Sequence, residues 1–374
     1  MQRLSRRELI ALLASAPVLR AARSTPASPV AIGRCPAYGP GVETVLATMM
    51  DQLGGLSGLV ANKTVTVKLN LTGSPGIRFQ GKAPGLTHYV HPTVAFALVS
   101  LLDRAGARRI RLVESGYATN APLEEYLLDS GWNVRALCSL SKNLEFEDTN
   151  FLGSGKTYHR FPVPGGGAIF PAYDLNHSYA DTDVFVSLAK LKNHATCGVT
   201  LSIKNLFGIT PASIYGDDAG VAEPNENPGS GRVRTCHEGK REPSKSAPRE
   251  LNPASSRDPG HRMPRIVSDL AAARPVHLAI IDGVETLAGG EGPWIQGVRA
   301  VKPGLLIAGR NSVNTDTIAT AAMGYAPRAT RGAKPFLNCD NTLLLAEGLG
   351  IGSASLRDIE VRGLALHDAL YSFG

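Results

Sequence analysis

The chain carries five cysteines, Cys35, Cys138, Cys197, Cys236 and Cys339, and no two of them form a Cys-x-x-Cys pair. Ferredoxin-type iron–sulfur clusters and zinc ribbons are built on that close spacing, so neither is expected. The apolar run nearest the start, Leu9 to Leu19, is shorter than the ~20 residues that cross a bilayer, so no permanent membrane anchor is expected. Nucleotide-binding loops are also missing. The stretch GSGKT at 153–157 ends like a phosphate loop, yet Asn150 occupies the position of its first glycine, and YHRFPVP follows where a helix must begin. Gly165–Gly167 lacks the G-x-G-x-x-G spacing and reads as a turn. With 374 residues, 43% hydrophobic and 19% charged, the chain is neither disordered nor fibrous and suffices for one large or two smaller domains.

The formal charge of +7 would ordinarily raise nucleic acid as a partner. Much of it sits in MQRLSRRELIALLASAPVLRAARSTPASP, a basic start followed by a modest apolar run and small residues. This layout resembles a bacterial twin-arginine export signal, with Ser5-Arg6-Arg7 ahead of the apolar run and cleavage near Ala22 or Ala27. Removing residues 1–27 takes away five arginines against Glu8 and leaves +3. The expectation is therefore an exported protein, periplasmic or extracellular, that engages the twin-arginine export machinery and does not bind nucleic acid.

Strand-like and helix-like segments alternate. TVTVKLNL (64–71), RIRLVES (109–115) and NVRALCSL (133–140) read as strands, separated by helices over 91–107 and 122–131. After a stretch rich in glycine and proline the pattern resumes: strand 183–192, helix 198–208, strands 276–284 and 304–309, and a helix over 311–324. This order predicts an α/β fold, a largely parallel or mixed sheet flanked by helices, in one body or two lobes. Between the halves, 211–264 is crowded with Pro, Gly, Ser and basic residues, and reads as a flexible insertion within a domain spanning 28–374.

One stretch concentrates polar chemistry: AKLKNHATCGVTLSIKNLFG, residues 189–208. Alternation along a strand would set Lys190, Lys192 and His194 on one face, and helical spacing puts Thr200 and Lys204 on another. Strand ends beside a following helix are where open α/β sheets place ligands. A lysine in an apolar helix needs an anion or water. Either these groups line an anion pocket, or the strand lysines emerge into solvent and Lys204 pairs with an internal carboxylate.

This stretch also resembles the signature of the domain-of-unknown-function 362 family, a Lys-x-Lys-x-His-like strand end leading into a Lys-Asn-x-x-Gly helix. Further segments match in order: VKLNLTG with Lys68 and Asn70, His91-Pro92, VESG with Glu114, IIDGVETLAGGEGP with Asp282, NTDTIATAAMG with Asp316, and the closing LAEGLGIGSASLRDIEVRG. The resemblance implies that these polar positions converge. Lys68, Asn70, Lys190, Lys192 and Asn205 would bind a small anionic molecule, and His194, Lys204 and Asp282 would act on it. Glu114, Asp282 and Asp316 would hold a divalent metal. Each has a plain structural alternative: Asp316 as a helix cap, Asp282 as a turn residue, His91 as a cap, Cys197 as an inert core thiol. Two readings of function follow, an exported enzyme acting on a small anion and a non-catalytic protein that binds an anion or a metal.

Overall fold

A computed structural model describes residues 26–117, 121–152, 157–220 and 224–374. The twin-arginine stretch and the glycines of GSGKT therefore lie outside the described residues. Eight strands form one mixed sheet: β1 (Val30–Arg34), β2 (Thr64–Lys68), β3 (Arg109–Glu114), β4 (Leu144–Asp148), β5 (Val184–Lys190), β6 (Leu278–Gly283), β7 (Leu305–Gly309) and β8 (Val361–Gly363). Their order across the sheet is β8-β1-β7-β6-β5-β2-β3-β4. β7 runs antiparallel to both of its neighbours, and every other pairing is parallel. Strands from both halves of the sequence join this one sheet, so the two halves do not fold as separate lobes. Central β5, VFVSLAK, is buried at every position, as a parallel strand covered on both faces requires.

Helices cover both faces. On one, α1 (Gly41–Gln52) and α2 (Pro92–Arg104) pack on Val65, Val67, Val186, Leu188 and Ile280. On the other, α3 (Leu201–Asn205), α4 (Pro259–Ala273) and α5 (Ser312–Ala322) pack on Phe185, Ala189, Ala279 and Ile281. α2 starts where Pro92 supplies a preset φ and His91 Nδ1 accepts the Thr93 N–H at 3.2 Å.

The segment expected as a strand at 133–140 is a helix, Val134–Cys138, with its first turn capped by Asn133. Val134, Leu137 and Leu140 recur at helical rather than alternating spacing, and the true β4 is the next segment, LEFED. The expected helix over 198–208 is shorter. Gly198–Val199 pairs back on Asn193–His194, and a 3-10 turn, Leu206–Ile209, follows α3. Within 211–264, Ala212–Tyr215 is a short helix, Val233–His237 forms one π-helical turn, and Pro259 opens α4. Arg262 and Arg257 both pair with Glu250, tying this segment to α4.

Candidate functional site

In the sheet order, β2 continues to β3 on one side while β5 and β6 lie on the other, so the direction of winding reverses between β2 and β5. Open α/β sheets leave a crevice at the strand ends at such a reversal. Here it holds a cavity of about 420 Å³, walled by the ends of β2 and β3, the residues around α3, the turn after Gly231, and the Glu291–Trp294 loop.

The floor of the cavity is an ion pair. Lys68 Nζ lies 2.5 Å from Glu114 Oε1, with both side chains buried. Lys68 also donates to Leu69 O at 2.6 Å and Asn205 Oδ1 at 3.3 Å, which occupies its three N–H groups. Glu114 accepts the backbone N–H of Leu71 at 2.8 Å and of Ser115 at 3.0 Å. Burial pushes the Lys68 ammonium down and the Glu114 carboxyl up, and their pairing opposes both shifts. Gly208 explains the Lys-Asn-x-x-Gly spacing, since a Cβ there would stand 2.5 Å from Lys68 Nζ and 2.7 Å from Glu114 Oε1. A residue with no side chain lets the turn after α3 close over the pair. Asn205 braces it, donating to Ser187 Oγ at 3.0 Å. Asn70 also lines the cavity, and its amide donates to Thr72 Oγ1 at 3.3 Å.

Above the floor the charge is unbalanced. Lys204 Nζ lies 4.5 Å from the Phe207 ring centroid, and the Arg232 guanidinium carbon is 5.0 Å from the same ring. Both side chains are 8% exposed and both line the cavity. Among the described residues Lys204 Nζ has no hydrogen bond or ion pair. Arg232 has a hydrogen bond to Thr210 O at 2.8 Å, while its Nε is buried with no partner. Burial lowers the pKa of each; Arg232 lowers that of Lys204 further, while Glu291 acts on Lys204 and Glu114 on Arg232 in the opposite sense.

Two histidines share this wall. His194 Nδ1 accepts the Thr196 N–H at 3.1 Å, which leaves the proton of a neutral ring on Nε2. Burial, then Lys204, hold that ring well below the usual imidazole range, so His194 is neutral and offers an N–H to the cavity. His237 is driven down to about 3 by the same two causes. Glu291, the second carboxylate of the wall, accepts the Ala195 N–H at 3.0 Å and the Trp294 indole N–H at 3.3 Å, and has no ion pair among the described residues.

The other polar positions are held apart from this cavity. Register sets Lys68 beside Ser187 and Lys190 beside Asp282. In-register neighbours point to the same face, and Ser187 and Lys190 are three residues apart, so Lys68 and Lys190 emerge on opposite faces of the sheet. On the α2 side, Lys190 Nζ donates to Asp282 Oδ2 at 2.9 Å, Tyr38 OH at 2.8 Å and Gly85 O at 2.8 Å. Asp282 further accepts Tyr38 OH and the His91 N–H. It also accepts the Val284 N–H at 3.2 Å, a turn contact. Both side chains are fully buried.

Lys192 donates to His88 O at 2.7 Å and Thr72 Oγ1 at 3.3 Å, and burial pushes it down to about 7. Asp316, in α5, receives the N–H groups of Ser202 at 2.9 Å and Ile203 at 2.8 Å, so it caps α3 from outside that helix. Glu114, Asp282 and Asp316 thus stand in three separate networks. Among the described residues no three His, Cys, Asp or Glu side chains gather as a metal-holding group. Burial pushes the Cys197 thiol up to about 12, away from thiolate reactivity.

The family model described as "Domain of unknown function (DUF362)" matches residues 65–321, more than half of the chain. The chain belongs to the DUF362 family. A thylakoid-associated protein of Synechocystis sp. is 26% identical over 170 residues, which make up 45% of this chain and 46% of that protein, so the match spans less than half of the relative. A crystal structure of a Thermotoga maritima protein, a Northeast Structural Genomics Consortium target, covers 72% of this chain and 56% of its own at 11% identity and a TM-score of 0.37.

For this DUF362 protein, sequence reasoning passed over Arg232, His237 and Glu291. Arg232 and His237 lie in the segment read as an insertion, where no periodicity marks them. Glu291 stands next to Gly292 in the quoted GGEGP, and a carboxylate inside a glycine-rich loop was a signal that could have been read.

Proposed function

We propose that this chain binds a small anionic molecule in the cavity between β2 and β5, with Lys204 and Arg232 supplying its counter-charges. The observation that carries this reading is two buried cations on one ring, neither with a carboxylate partner among the described residues. Desolvated like charges destabilise the fold unless an anion joins them. A phosphate or carboxylate between them would gain charge-assisted hydrogen bonds and a further N–H from His194. Calorimetric titration of phosphate and small carboxylates into the wild type, Lys204→Met and Arg232→Met tests this. Each substitution is expected to weaken binding at least tenfold without lowering the melting temperature. Equal affinities in all three proteins would sink the reading.

Glu291 favours a second reading, an enzyme that acts on the same anion. It is an unpaired carboxylate in the wall that holds the two cations, and so a group able to take a proton from a bound substrate. An enzyme would lose turnover but not binding in Glu291→Gln, whereas a binding protein would show no turnover in any form. We further propose that residues 1–27 direct export by the twin-arginine route. Supporting this are the paired arginines ahead of a short apolar run. A reporter fused behind these residues should reach the periplasm and should stay inside when Arg6 and Arg7 are both replaced by lysine. Export that persists in that variant refutes it.

A further inference from the structure

We infer that the anion carries an apolar, ring-sized body, so that the ligand is an amphiphilic phosphate or carboxylate with a charged head. This rests on the anion-binding reading above and specifies its substrate class. Lys204 and Arg232 flank Phe207, and the same cavity is also lined by Trp294, Tyr117 and Val233. These three are 44%, 45% and 46% exposed, and they stand among the most exposed large hydrophobic side chains of the described residues. Large apolar groups left open to water around one cavity mark a surface that a ligand covers.

The backbone is shaped to hold these side chains there. A Cβ on Gly73 would stand 2.7 Å from the Trp294 ring, a Cβ on Gly292 would collide with that ring, and a Cβ on Gly231 would stand 3.0 Å from the Tyr117 ring. Three glycines thus let two aromatic rings lie directly on backbone. The indole is further fixed by its bond to Glu291 at 3.3 Å and by an edge contact with His88, ring centroids 5.6 Å apart. A fixed aromatic surface contributes binding area without losing side-chain freedom when a ligand arrives. Inorganic phosphate or acetate would use the cationic part and leave the aromatic part wet. A ligand with a ring behind its charged head would use both.

The test compares probes that share a head and differ in the body: phenyl phosphate against inorganic phosphate, and benzoate against acetate, with phenol as the body alone. Affinities are read by calorimetry and by the fluorescence of Trp294, with Trp294→Ala separating its signal from that of Trp132. The ringed probe of each pair is expected to bind at least tenfold more tightly than its bare head, on the order of what burying one aromatic ring supplies. Trp294→Ala should erase most of that ratio, and Lys204→Met should weaken both members of each pair. Equal affinities within the pairs, with loss in Lys204→Met, would overturn the amphiphile and leave the anion reading standing. Phenol binding as tightly as phenyl phosphate, with no effect of Lys204→Met, would overturn the anion reading. No binding of any probe at millimolar concentration would overturn both.

Discussion

Replacing Lys190 by methionine keeps the aliphatic stem of a fully buried side chain and removes its charge. Three acceptors then lose their donor: Asp282 Oδ2, Gly85 O and Tyr38 OH. Asp282 keeps the Tyr38 hydroxyl and the His91 and Val284 N–H groups but becomes a buried carboxylate without a counter-charge. Breaking a buried pair from one side costs about 3–5 kcal/mol. With an unfolding entropy of roughly 2.1 cal/mol/K per residue over 374 residues, that lowers the melting temperature by about 4–6 °C. The double variant Lys190→Met/Asp282→Leu removes both charges and should recover much of the loss. Thermal unfolding of the wild type, both single variants and the double variant closes the cycle, and phosphate titration of each supplies an independent readout. Because the pair lies on the sheet face opposite the cavity, phosphate affinity should stay within twofold of wild type. Loss of phosphate binding in Lys190→Met at unchanged stability would refute the separation of the two faces.

Gly208→Ala should destabilise by about 1–3 kcal/mol, since its methyl must displace the Lys68–Glu114 pair; denaturant titration checks this. Asp316→Asn leaves one of two N–H groups of α3 without an acceptor and should cost about 1–3 kcal/mol by the same assay. The pH dependence of that cost is specific. Burial raises the Asp316 pKa from 3.8 to about 7, so between those values the folded protein holds a proton that the unfolded chain has released. Its contribution therefore falls as pH rises from about 4 to 7, by roughly 1.4 kcal/mol per unit. Stability of the wild type relative to Asp316→Asn should decline across that window, and parallel pH profiles would refute the assignment.

The sheet was legible because its strands are apolar runs ended by polar residues: β2, β3, β5, β6 and β7 all fall within stretches that composition marks. β1 and β8 were not marked, since VAIGR and VRG are too short and too mixed in type to stand out. The segment 133–140 misled because Val134, Ala136, Cys138 and Leu140 alternate as in a strand, while Val134, Leu137 and Leu140 also fit helical spacing. For the site, the sequence showed which polar residues sit at strand ends but not which face each takes, because facing depends on register between strands far apart in the chain. Once Lys68 is placed beside Ser187, the odd separation from Ser187 to Lys190 sends the two lysines to opposite faces. The lysine-rich motif therefore serves two networks, and its spacing alone cannot divide them.

That division yields a prediction that runs against the usual effect of core mutations. Lys68 and Lys190 are buried cations with full sets of acceptors and a carboxylate each, so removing either should destabilise. Lys204 is buried with no ion pair among the described residues, shares the Phe207 ring with Arg232, and feels the Glu291 charge without pairing with it. On the anion-binding reading, its charge opposes folding unless an anion joins it. Lys204→Met removes that charge while keeping the stem that packs on Phe207. Without ligand, the variant should be more stable than wild type by at least ~1 kcal/mol, the sign expected when an uncompensated buried charge gives way to an apolar side chain. Adding phosphate at a hundred times the wild-type Kd should narrow or reverse the ranking, since it stabilises the wild type by about 2.7 kcal/mol and a variant that binds tenfold more weakly by about 1.4 kcal/mol. Lys190→Met, by contrast, should gain the same increment from phosphate as wild type does. The measurement is thermal unfolding of the three proteins with and without phosphate. A loss of stability in ligand-free Lys204→Met would mean that Lys204 already has a stabilising partner in the folded chain, and the case for an anion between it and Arg232 would fall.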